Sequence, residues 1–269
     1  MILRYGNTGR EVADLQRRLI ANGYRLEQSH IYDEATVAVV KALQTRARLV
    51  VDGIYGPKTE AYLRGAETGY LLKQTDLVDA AEKLQVDIAS VMAVNEVESL
   101  GSGFLRAGMP RILFERHIFH RQLRSRKIDT APLQKRFPGI VNSSRGGYVG
   151  GQSEYIRLAA AVDIHREAAY ESASWGAFQI MGFHWQLLGF SSAQEIVDYA
   201  SVNEANQLDL FVRFIMADSA LHKALQNKKW STFARLYNGP AYADNMYDVK
   251  LARAYKRYAE MMLEVADVI

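Results

Sequence analysis

The stretch that most constrains the fold is residues 86–103, an apolar run that ends in two carboxylates, a serine and a glycine-rich exit. Apolar side chains at five positions (88, 91, 92, 94 and 97) leave little polar surface, so the pattern is typical of a buried helix. Asp87 stands where its short side chain can accept a backbone N–H and begin that helix. The stretch therefore predicts a buried helix whose last turn carries acidic groups.

Glu96 and Glu98 lie in that last turn. A carboxylate there is expensive to ionise, so its pKa should rise, and a carboxyl group protonated near neutral pH can act as a general acid. The alternative is that both glutamates lie at a frayed, hydrated helix end. Their side chains point about 160° apart, so both cannot line one cleft equally, and the spacing alone does not choose between them.

The composition is that of an ordinary globular chain, with 269 residues, of which 49% are hydrophobic and 23% charged. A formal net charge of +3 is compatible with an anionic partner such as a cell-wall polymer and does not require nucleic acid. The absence of cysteine excludes cysteine nucleophiles, thiolate metal sites and disulfides. We expect neither a signal peptide nor a membrane-spanning helix, which needs roughly 18 apolar residues. A substrate outside the cytoplasm would therefore require another component for delivery.

Residues 1–66 have the pattern of a small helical module. Apolar residues at positions 12, 15, 19 and 20 predict a one-sided helix, and Ile31-Tyr32 is matched 23 residues later by Ile54-Tyr55. Pro57 fits the first turn of a third helix, where its missing N–H is not needed. Three short helices around a Leu/Val/Ile core are marginally stable alone, which favours a binding role over catalysis.

A set of small, aromatic and apolar residues recurs through this module in a characteristic order. They are Gly9, Val12, Leu15-Gln16, Leu19 and Gly23-Tyr24, then Tyr32, Thr36, Val39 and Leu43-Gln44, then Asp52-Gly53-Ile54-Tyr55-Gly56-Pro57 and Thr59. In this order they resemble the peptidoglycan-binding domain of cell-wall hydrolases. The resemblance makes Asp52, Gly53 and Tyr55 candidates for wall contact, and the alternative is that they serve turn geometry. The first loop, His30-Ile31-Tyr32-Asp33, departs from the family's Gly-x-(Phe/Tyr)-Gly turn, which would alter a glycan contact there.

Residues 76–269 predict a second, larger and mostly helical domain after a short connector of residues 67–75. Thr75 is expected to cap a helix that runs to about Leu84, and Ile112-Leu113-Phe114 to form a short strand. Further helices are predicted over residues 153–170, 193–200, 203–217, 219–227, 230–236 and 246–265, with a compact apolar turn at residues 175–182.

Three other segments of this domain each admit a specific interpretation. Residues 111–127 hold six Lys/Arg and one acid, which indicates either a solvated helix face or contact with an anionic envelope surface. Residues 138–152, here called the glycine loop, contain five glycines and predict a mobile loop without the spacing of a phosphate site. Residues 247–269 predict a core-packed terminal helix, with contact to an anionic outer membrane as the alternative.

Metal and serine-hydrolase chemistry find little support in the sequence. The six histidines show no His-Glu-x-x-His pattern, and His117 and His120 share a helix face without a third ligand that we can name. No Gly-x-Ser-x-Gly motif occurs. We therefore expect no metal and no cofactor.

Three short motifs follow one another along the second domain. They are Glu98-Ser99, then Ser174-Trp175-Gly176-Ala177-Phe178-Gln179-Ile180-Met181, then Ala234-Arg235-Leu236-Tyr237-Asn238-Gly239-Pro240. In this order they resemble the lysozyme-like superfamily, which includes soluble lytic transglycosylases and goose-type lysozymes.

A closer resemblance rests on four longer runs. They are Val97-Glu98-Ser99, Pro110-Arg111-Ile112-Leu113-Phe114-Glu115-Arg116-His117, Tyr148-Val149-Gly150-Gly151 and Ala173-Ser174-Trp175-Gly176-Ala177-Phe178-Gln179-Ile180-Met181-Gly182. Together they resemble the N-acetylmuramidase domain of modular phage endolysins. With the first module in front, the chain resembles an endolysin of a phage that infects Gram-negative bacteria.

The resemblance implies that Glu98, rather than Glu96, is the catalytic acid, since glycoside cleavage needs a proton for a poor leaving group. A hydrolase also needs a second carboxylate to stabilise the cation or activate water. Glu115 is the best placed, on the element after the glycine exit. Its alternative role is a salt bridge to a neighbouring arginine.

The same resemblance implies contacts with the sugar. Gln179 would hydrogen-bond an N-acetyl or hydroxyl group, or else cap its own turn. Tyr237 would lie beside the acid, and Asn238 would line the cleft or only form a turn. Tyr148 is a candidate for stacking on a sugar, and Ser174 for a further substrate contact.

We therefore expect a mainly α protein, in which a small three-helix peptidoglycan-binding domain precedes a larger lysozyme-like, mostly helical catalytic domain. The predicted reaction is hydrolysis of the β-1,4 bond between N-acetylmuramic acid and N-acetylglucosamine. The alternatives are a lytic transglycosylase that cuts the same bond and a non-catalytic wall-binding component of a phage particle. The expected partners are peptidoglycan glycan strands, with the anionic outer membrane as a further surface and no nucleic acid. We expect a monomer that is made in the host cytoplasm, delivered by a separate holin and active on periplasmic peptidoglycan.

Overall fold

The computed structural model of the chain describes residues 2–99 and 101–266 and divides into two compact units, Met1–Leu77 and Val78–Ile269. Both units are mainly helical, which confirms the predicted fold class. The division falls after Leu77, whereas the sequence predicted it in a connector of residues 67–75. Among the described residues, no helix is long and apolar enough to cross a bilayer.

The first unit is built from three short helices, α1 (Arg10–Ala21), α2 (Glu34–Arg46) and α3 (Pro57–Leu63). Pro57 occupies the first turn of α3, as predicted. The helices enclose one apolar cluster, whose buried members are Leu3, Val12, Leu15, Leu19, Tyr32, Val40, Leu43 and Tyr55. The predicted three-helix module around an aliphatic core is therefore confirmed.

The near-repeat of the sequence is a repeated hydrogen-bonding unit centred on a buried glutamine. In the first copy, the Gln16 amide nitrogen donates to the backbone oxygen of Ile31 at 2.9 Å and to the Thr36 hydroxyl at 3.0 Å. The Gln16 amide oxygen accepts the backbone N–H of His30 at 3.0 Å. One side chain thus ties α1 to the loop and to the first turn of α2.

The second copy repeats this pattern around Gln44. Its amide nitrogen donates to the Ile54 backbone oxygen at 3.0 Å, to the Thr59 hydroxyl at 3.3 Å and to Asp52 Oδ1 at 2.7 Å. Its amide oxygen accepts the backbone N–H of Gly53 at 2.9 Å. Since a buried amide must satisfy its donors and acceptor, both glutamines fix the loops that follow their helices.

The three positions predicted to contact the wall carry structural roles in this arrangement. Asp52 also accepts the Ile54 backbone N–H at 2.8 Å, Gly53 has a left-handed φ of 70°, and the Tyr55 side chain is fully buried. The turn and core roles are therefore observed, and contact with the wall stays a prediction.

The helix α4 (Gln74–Leu84) begins one residue before the predicted cap, Thr75. Asp76 within the first turn accepts the backbone N–H of Lys73 at 2.8 Å, so the acid at this end closes the turn and Thr75 lies inside the helix. The sequence interpretation was wrong here because Asp76 and Thr75 are both good helix-start residues.

The second unit consists of helices around two small sheets. The bounds are α5 (Ile88–Glu98), β1 (Phe104–Arg106), β2 (Met109–Pro110), β3 (Ile112–Phe114), α6 (Arg116–Ser125), α7 (Ala131–Arg136), α8 (Ser153–Glu171), β4 (Ala173–Trp175), β5 (Ile180–Met181), α9 (Ala193–Ala200), α10 (Glu204–Ala217), α11 (Ser219–Gln226), α12 (Trp230–Asn238) and α13 (Tyr247–Ala266), with 3-10 turns at Gly182–His184 and Pro240–Asn245. The predicted helices all occur, and the last three residues of the predicted terminal helix lie outside the described residues.

The larger sheet has the antiparallel order β3-β4-β5, with Leu113 opposite Ser174 and Ser174 opposite Met181. It brings the predicted strand after Pro110 beside the predicted apolar turn, although some 60 residues separate them along the chain. One prediction needs correction, since α8 is interrupted at His165, whose φ and ψ of −163° and 102° are extended.

A comparison of Gly53 with His30 tests the repeated unit, because these equivalent positions have φ values of 70° and 62°. We expect Gly53→Ala to destabilise the first unit by about 1–2 kcal/mol, since a side chain strains this backbone and its Cβ would lie 3.0 Å from Val37 Cγ1. The reverse change, His30→Gly, should stabilise it by up to about 1 kcal/mol.

The measurement is native-state hydrogen exchange of the buried amides of α1 and α2, because all three tryptophans lie in the second unit. If both substitutions changed the exchange rates in the same direction and by the same amount, the two loops would not be equivalent.

Candidate active site

Glu98 is the last residue of α5, and its surroundings favour the protonated carboxyl. Asp87 begins this helix by accepting the Ser90 backbone N–H at 2.8 Å, and the helix from Ala89 to Val94 is buried. Burial raises the pKa of Glu98 to about 7, against the opposing effects of the Asn238 amide and the positive charge of Lys250. The predicted rise in pKa is confirmed, and its cause is desolvation.

Glu96 faces a different neighbour. Its carboxylate is ion-paired with Arg257 and accepts the Tyr258 hydroxyl at 2.6 Å, and both partners belong to α13. Glu98 instead accepts the Asn238 side-chain amide at 3.0 Å. The two glutamate side chains therefore point to different neighbours, as their helical spacing predicted.

Tyr237 and Asn238 end α12 beside Glu98. The Tyr237 hydroxyl donates to the backbone oxygen of Phe178 at 2.9 Å, and its ring stacks on Phe233 with centroids 5.9 Å apart. Burial, followed by the negative charge of Glu98, raises the pKa of Tyr237. Tyr237 therefore connects the surroundings of the acid to the turn between β4 and β5.

Gln179 lies in that turn with a left-handed φ of 52°. Its amide oxygen accepts the Ser174 hydroxyl at 2.8 Å, and its amide nitrogen donates to the Gly176 backbone oxygen at 2.8 Å. The interpretation of Gln179 as the cap of its own turn is thus confirmed. A carbonyl oxygen has two lone pairs, so its amide oxygen can accept one further hydrogen bond.

A cleft of about 500 Å³ opens along this sheet. Its lining residues come from β1, from β3 and the residues that flank it, from the glycine loop and from the turn between β4 and β5, and are Leu105, Arg111, Ile112, Leu113, Glu115, Arg145, Gly150, Gly151, Ser174, Gln179 and Met181. Glu115, Ser174 and Gln179 therefore share one cleft. Glu98, Tyr237 and Asn238 form a second group, which the bond from Tyr237 to Phe178 joins to the cleft wall.

Glu115 follows β3 directly and is only 6% exposed. Its Oε2 accepts the Tyr148 hydroxyl at 2.7 Å and lies 3.2 Å from His117 Nδ1. Its Oε1 is 3.8 Å from the Arg145 guanidinium, which is a long ion pair. The salt-bridge role is therefore observed at long range, and the catalytic role of Glu115 stays a prediction.

Tyr148 contacts Glu115 through its hydroxyl, a role that the sequence did not indicate. The hydroxyl donates to Glu115 and accepts from Arg145 Nε at 3.0 Å. The side chain remains 39% exposed, so a face of the ring is available to solvent. Stacking of this ring on a sugar stays a prediction.

Two buried residues of α10 bind backbone groups next to the site, and the sequence analysis did not predict them. Glu204 accepts the Gly103 backbone N–H at 2.7 Å, and Gln207 accepts the Ala177 N–H at 2.8 Å. Gln207 also lies against two glycines, since a Cβ on Gly103 would fall 1.8 Å from Gln207 Oε1 and a Cβ on Gly176 would fall 2.6 Å from Gln207 Cδ. The available signal was a pair of polar residues on the buried side of an apolar helix.

The basic residues 111–127 are largely used within the protein. Arg111 donates to the Ser102 backbone oxygen at 2.9 Å, Arg126 pairs with Glu171 at 2.8 Å, and Arg116 donates to backbone oxygens of the glycine loop. Arg121 lies over the Phe183 ring, 5.9 Å from its centroid, so four of the six cations have partners within the protein and a purely solvated face does not describe this segment.

Comparisons with known proteins follow the same division of the chain. The family described as "N-acetylmuramidase" matches residues 87–259, and the one described as "Putative peptidoglycan binding domain" matches residues 8–63.

Two curated relatives from Bacillus licheniformis match part of the chain. The N-acetylmuramoyl-L-alanine amidase CwlL is 49% identical over 65 residues, which are 23% of this chain and 18% of the relative. A "Probable N-acetylmuramoyl-L-alanine amidase" is 35% identical over 104 residues, which are 37% of this chain and 29% of the relative. The chain thus spans less than a third of the length of either protein.

A solved structure matches almost the whole chain. It is the crystal structure of the Burkholderia AP3 phage endolysin, which is 52% identical, with a TM-score of 0.90, over 97% of this chain and 100% of the other. Since the N-acetylmuramidase match covers more than half of the 269 residues, the chain belongs to the N-acetylmuramidase family and carries a peptidoglycan-binding domain in front.

Proposed function

We propose that this protein is a phage endolysin that cleaves the β-1,4 bond between N-acetylmuramic acid and N-acetylglucosamine in bacterial peptidoglycan. The family match and the likeness to a phage endolysin support a glycoside hydrolase of the lysozyme type. The N-terminal match supports peptidoglycan as the partner. The observation that carries the proposed mechanism is the burial of Glu98, which raises its pKa to about 7.

Glu98 acts as the general acid. Near neutral pH a large share of its carboxyl groups is protonated, so the proton is available for the departing sugar oxygen. The Asn238 amide donates to Oε1, which leaves the proton on Oε2 and fixes the orientation of the group. Tyr237 lies close enough to Glu98 for the negative charge of Glu98 to raise the pKa of Tyr237.

Glu115 acts as the second carboxylate, which stabilises the cationic transition state or activates water. Its position on the cleft wall and the hydrogen bond from the Tyr148 hydroxyl that orients it support this role. Ser174 and Gln179 supply hydrogen-bonding groups to the sugar from the same wall.

The second candidate is a lytic transglycosylase that cuts the same bond. It would need Glu98 alone, since a hydroxyl of the sugar attacks in place of water. The long pairing of Glu115 with Arg145 favours this candidate, because that arginine partly neutralises the carboxylate.

Three further features belong to the proposal. The protein reaches the periplasmic wall from the host cytoplasm through a separate holin, acts as a monomer and contacts the anionic outer membrane. The likeness to a phage endolysin supports delivery by a holin. The net charge of +3 supports contact with the anionic outer membrane.

Replacing Glu98 with glutamine should abolish wall lysis while stabilising the second unit at pH 8. Loss of a general acid lowers the rate by about 10²–10⁴-fold. In the unfolded chain this group titrates near its ordinary pKa of about 4.3, and in the folded protein near 7, so the folded state loses stability as pH rises between these values. An uncharged glutamine escapes that loss, which is about 3–4 kcal/mol for a pKa difference of about 2.7 at about 1.36 kcal/mol per unit.

The measurements are turbidity loss of purified walls and thermal unfolding followed by tryptophan fluorescence at pH 8 and pH 4. Glu96→Gln is the matched control, because it removes a carboxylate two residues away and should keep lysis. Full lysis by Glu98→Gln would overturn the assignment of the acid.

Replacing Asn238 with alanine should move the alkaline limb of the pH–activity profile to higher pH. The amide stabilises the ionised form of Glu98, so its removal raises the pKa further from about 7, by roughly one unit. The measurement is kcat/KM between pH 5 and pH 10. Asn227→Ala is the control, since that amide donates to the Lys223 backbone oxygen at the end of another helix. A limb that stays in place, or moves to lower pH, contradicts the role of Asn238.

Product analysis with Glu115→Gln should separate hydrolysis from transglycosylation. We expect the wild-type protein to release reducing sugar ends, and Glu115→Gln to lower the rate by at least about 10²-fold. The measurement is mass spectrometry of released muropeptides together with initial rates. Anhydro ends and a variant of near-normal rate would instead establish the transglycosylase.

A further inference from the structure

A fully buried carboxylate, Glu154, lies next to the cleft outside the residues considered so far. It occupies the first turn of α8, and its exposed fraction is 0%. Oε1 accepts the backbone N–H groups of Val149 at 2.8 Å and Gly150 at 3.0 Å. Oε2 accepts the backbone N–H of Phe114 at 3.1 Å and pairs with Arg157 at 2.7 Å. Four donors therefore converge on this one group.

These contacts tie together the two segments that meet at Glu115. Phe114 directly precedes Glu115 at the end of β3, and Val149 directly follows Tyr148 in the glycine loop. The hydrogen bond from the Tyr148 hydroxyl to Glu115, at 2.7 Å, spans the same two segments. The Glu154 carboxylate and the Tyr148 hydroxyl thus make neighbouring links between β3 and the loop.

Arg157 extends the connection to the beginning of the loop. Its guanidinium donates to the backbone oxygens of Phe114 and Gly139, each at 2.9 Å. Burial raises the pKa of Glu154, but the backbone N–H groups of Val149, Gly150 and Phe114, and then the charge of Arg157, outweigh it and lower the pKa. The buried charge is therefore satisfied and stays ionised.

The glycine loop has few other means of holding its shape near the cleft. Gly150 and Gly151 line the cleft with left-handed φ values of 74° and 55°, and Val149 between Tyr148 and Gly150 is 62% exposed. Glycine loses much conformational freedom on ordering and offers no side chain to pack. The bonds to Glu154 supply the ordering of this part of the loop.

We propose that Glu154 is a positioning residue, which holds the glycine loop so that Tyr148 orients Glu115 and the loop backbone walls the cleft. It does not touch the substrate and acts through the backbone of residues 149 and 150. The expected effect of Glu154 on the reaction rate rests on the proposed function. The expected effect on the order of the glycine loop does not depend on that function.

The test compares Glu154→Gln with Glu171→Gln in the full chain. Both changes remove a buried glutamate of α8 that is paired with an arginine, since Glu171 pairs with Arg126 at 2.8 Å and accepts the Trp185 indole N–H at 3.2 Å. A neutral amide cannot accept all four donors that surround position 154, because one of its two ends is itself a donor.

The first readout is hydrogen exchange of the Val149 and Gly150 amides. We expect exchange at least about tenfold faster in Glu154→Gln and unchanged in Glu171→Gln, because only the first change leaves one acceptor oxygen for the four donors that include these two amides. Exchange that stays at the wild-type rate in Glu154→Gln overturns the proposal. This readout does not depend on the reaction, so it stands even if Glu98→Gln disproves the proposed function.

The second readout is a double-mutant cycle on kcat with Tyr148→Phe. Misplacement of a catalytic group by about 1 Å can lower the rate by about 10²-fold, so we expect a fall of about 10–10²-fold in Glu154→Gln and little change in KM. If Glu154 acts through Tyr148, its replacement should add less than twofold in the Tyr148→Phe protein. The positioning role is overturned if Glu154→Gln and Tyr148→Phe lower kcat independently, so that their fold-changes multiply. It is also overturned if Glu171→Gln lowers kcat as much as Glu154→Gln does.

A second variant covers the outcome in which Glu154→Gln does not fold. Glu154→Asp keeps the charge beside Arg157 but is shorter by one methylene, so it cannot reach both backbone segments at the present distances. We expect faster exchange of the Val149 and Gly150 amides and a smaller fall in kcat than with glutamine. Wild-type values of both quantities in Glu154→Asp would overturn the proposal.

Discussion

The desolvation of one carboxyl group at the end of a buried helix is the constraint on which the rest of the site depends. The helix α5 is buried from Ala89 to Val94, and at its end desolvation raises the pKa of Glu98 to about 7. Moving the same group into water would return it to an ordinary acid that is ionised at neutral pH. The packing of α12 and α13 around this turn is therefore part of the chemistry.

Three glutamates in the second unit show how surroundings divide the roles of one side chain. At Glu98 desolvation outweighs the hydrogen bond from Asn238 and the positive charge of Lys250, which favours the protonated form. Glu154 has four donors, which lower its pKa and make it a structural anchor. Glu115 lies on a cleft wall, where it accepts a tyrosine hydroxyl and has a more distant arginine nearby. Such separation of environments is how one residue type supplies different functions in one site.

Much of the fold could be predicted from local patterns. Asp87 at the start of α5, Pro57 at the start of α3 and the strand before Glu115 each follow from a local preference, and the structure confirms them. The extended residue His165 inside α8 could not be predicted, because its neighbours favour a helix, although its Nδ1 accepts the Ala168 backbone N–H at 3.3 Å where the helix resumes. The resemblance supplied the candidate site residues, but it could not tell which of them bind one another.

The sequence by itself determined the helices, the order of the two domains and the acid at the end of α5, because these depend on apolar periodicity, helix-start residues and short motifs. Only the tertiary structure decided that Tyr148 holds Glu115, that Asn238 holds Glu98 and that Glu154 anchors the glycine loop. Those pairs lie 33, 140 and 4–5 residues apart. The first two depend on which elements pack together, and the third depends on a loop turning back onto the helix that follows it, so local preference specifies none of them.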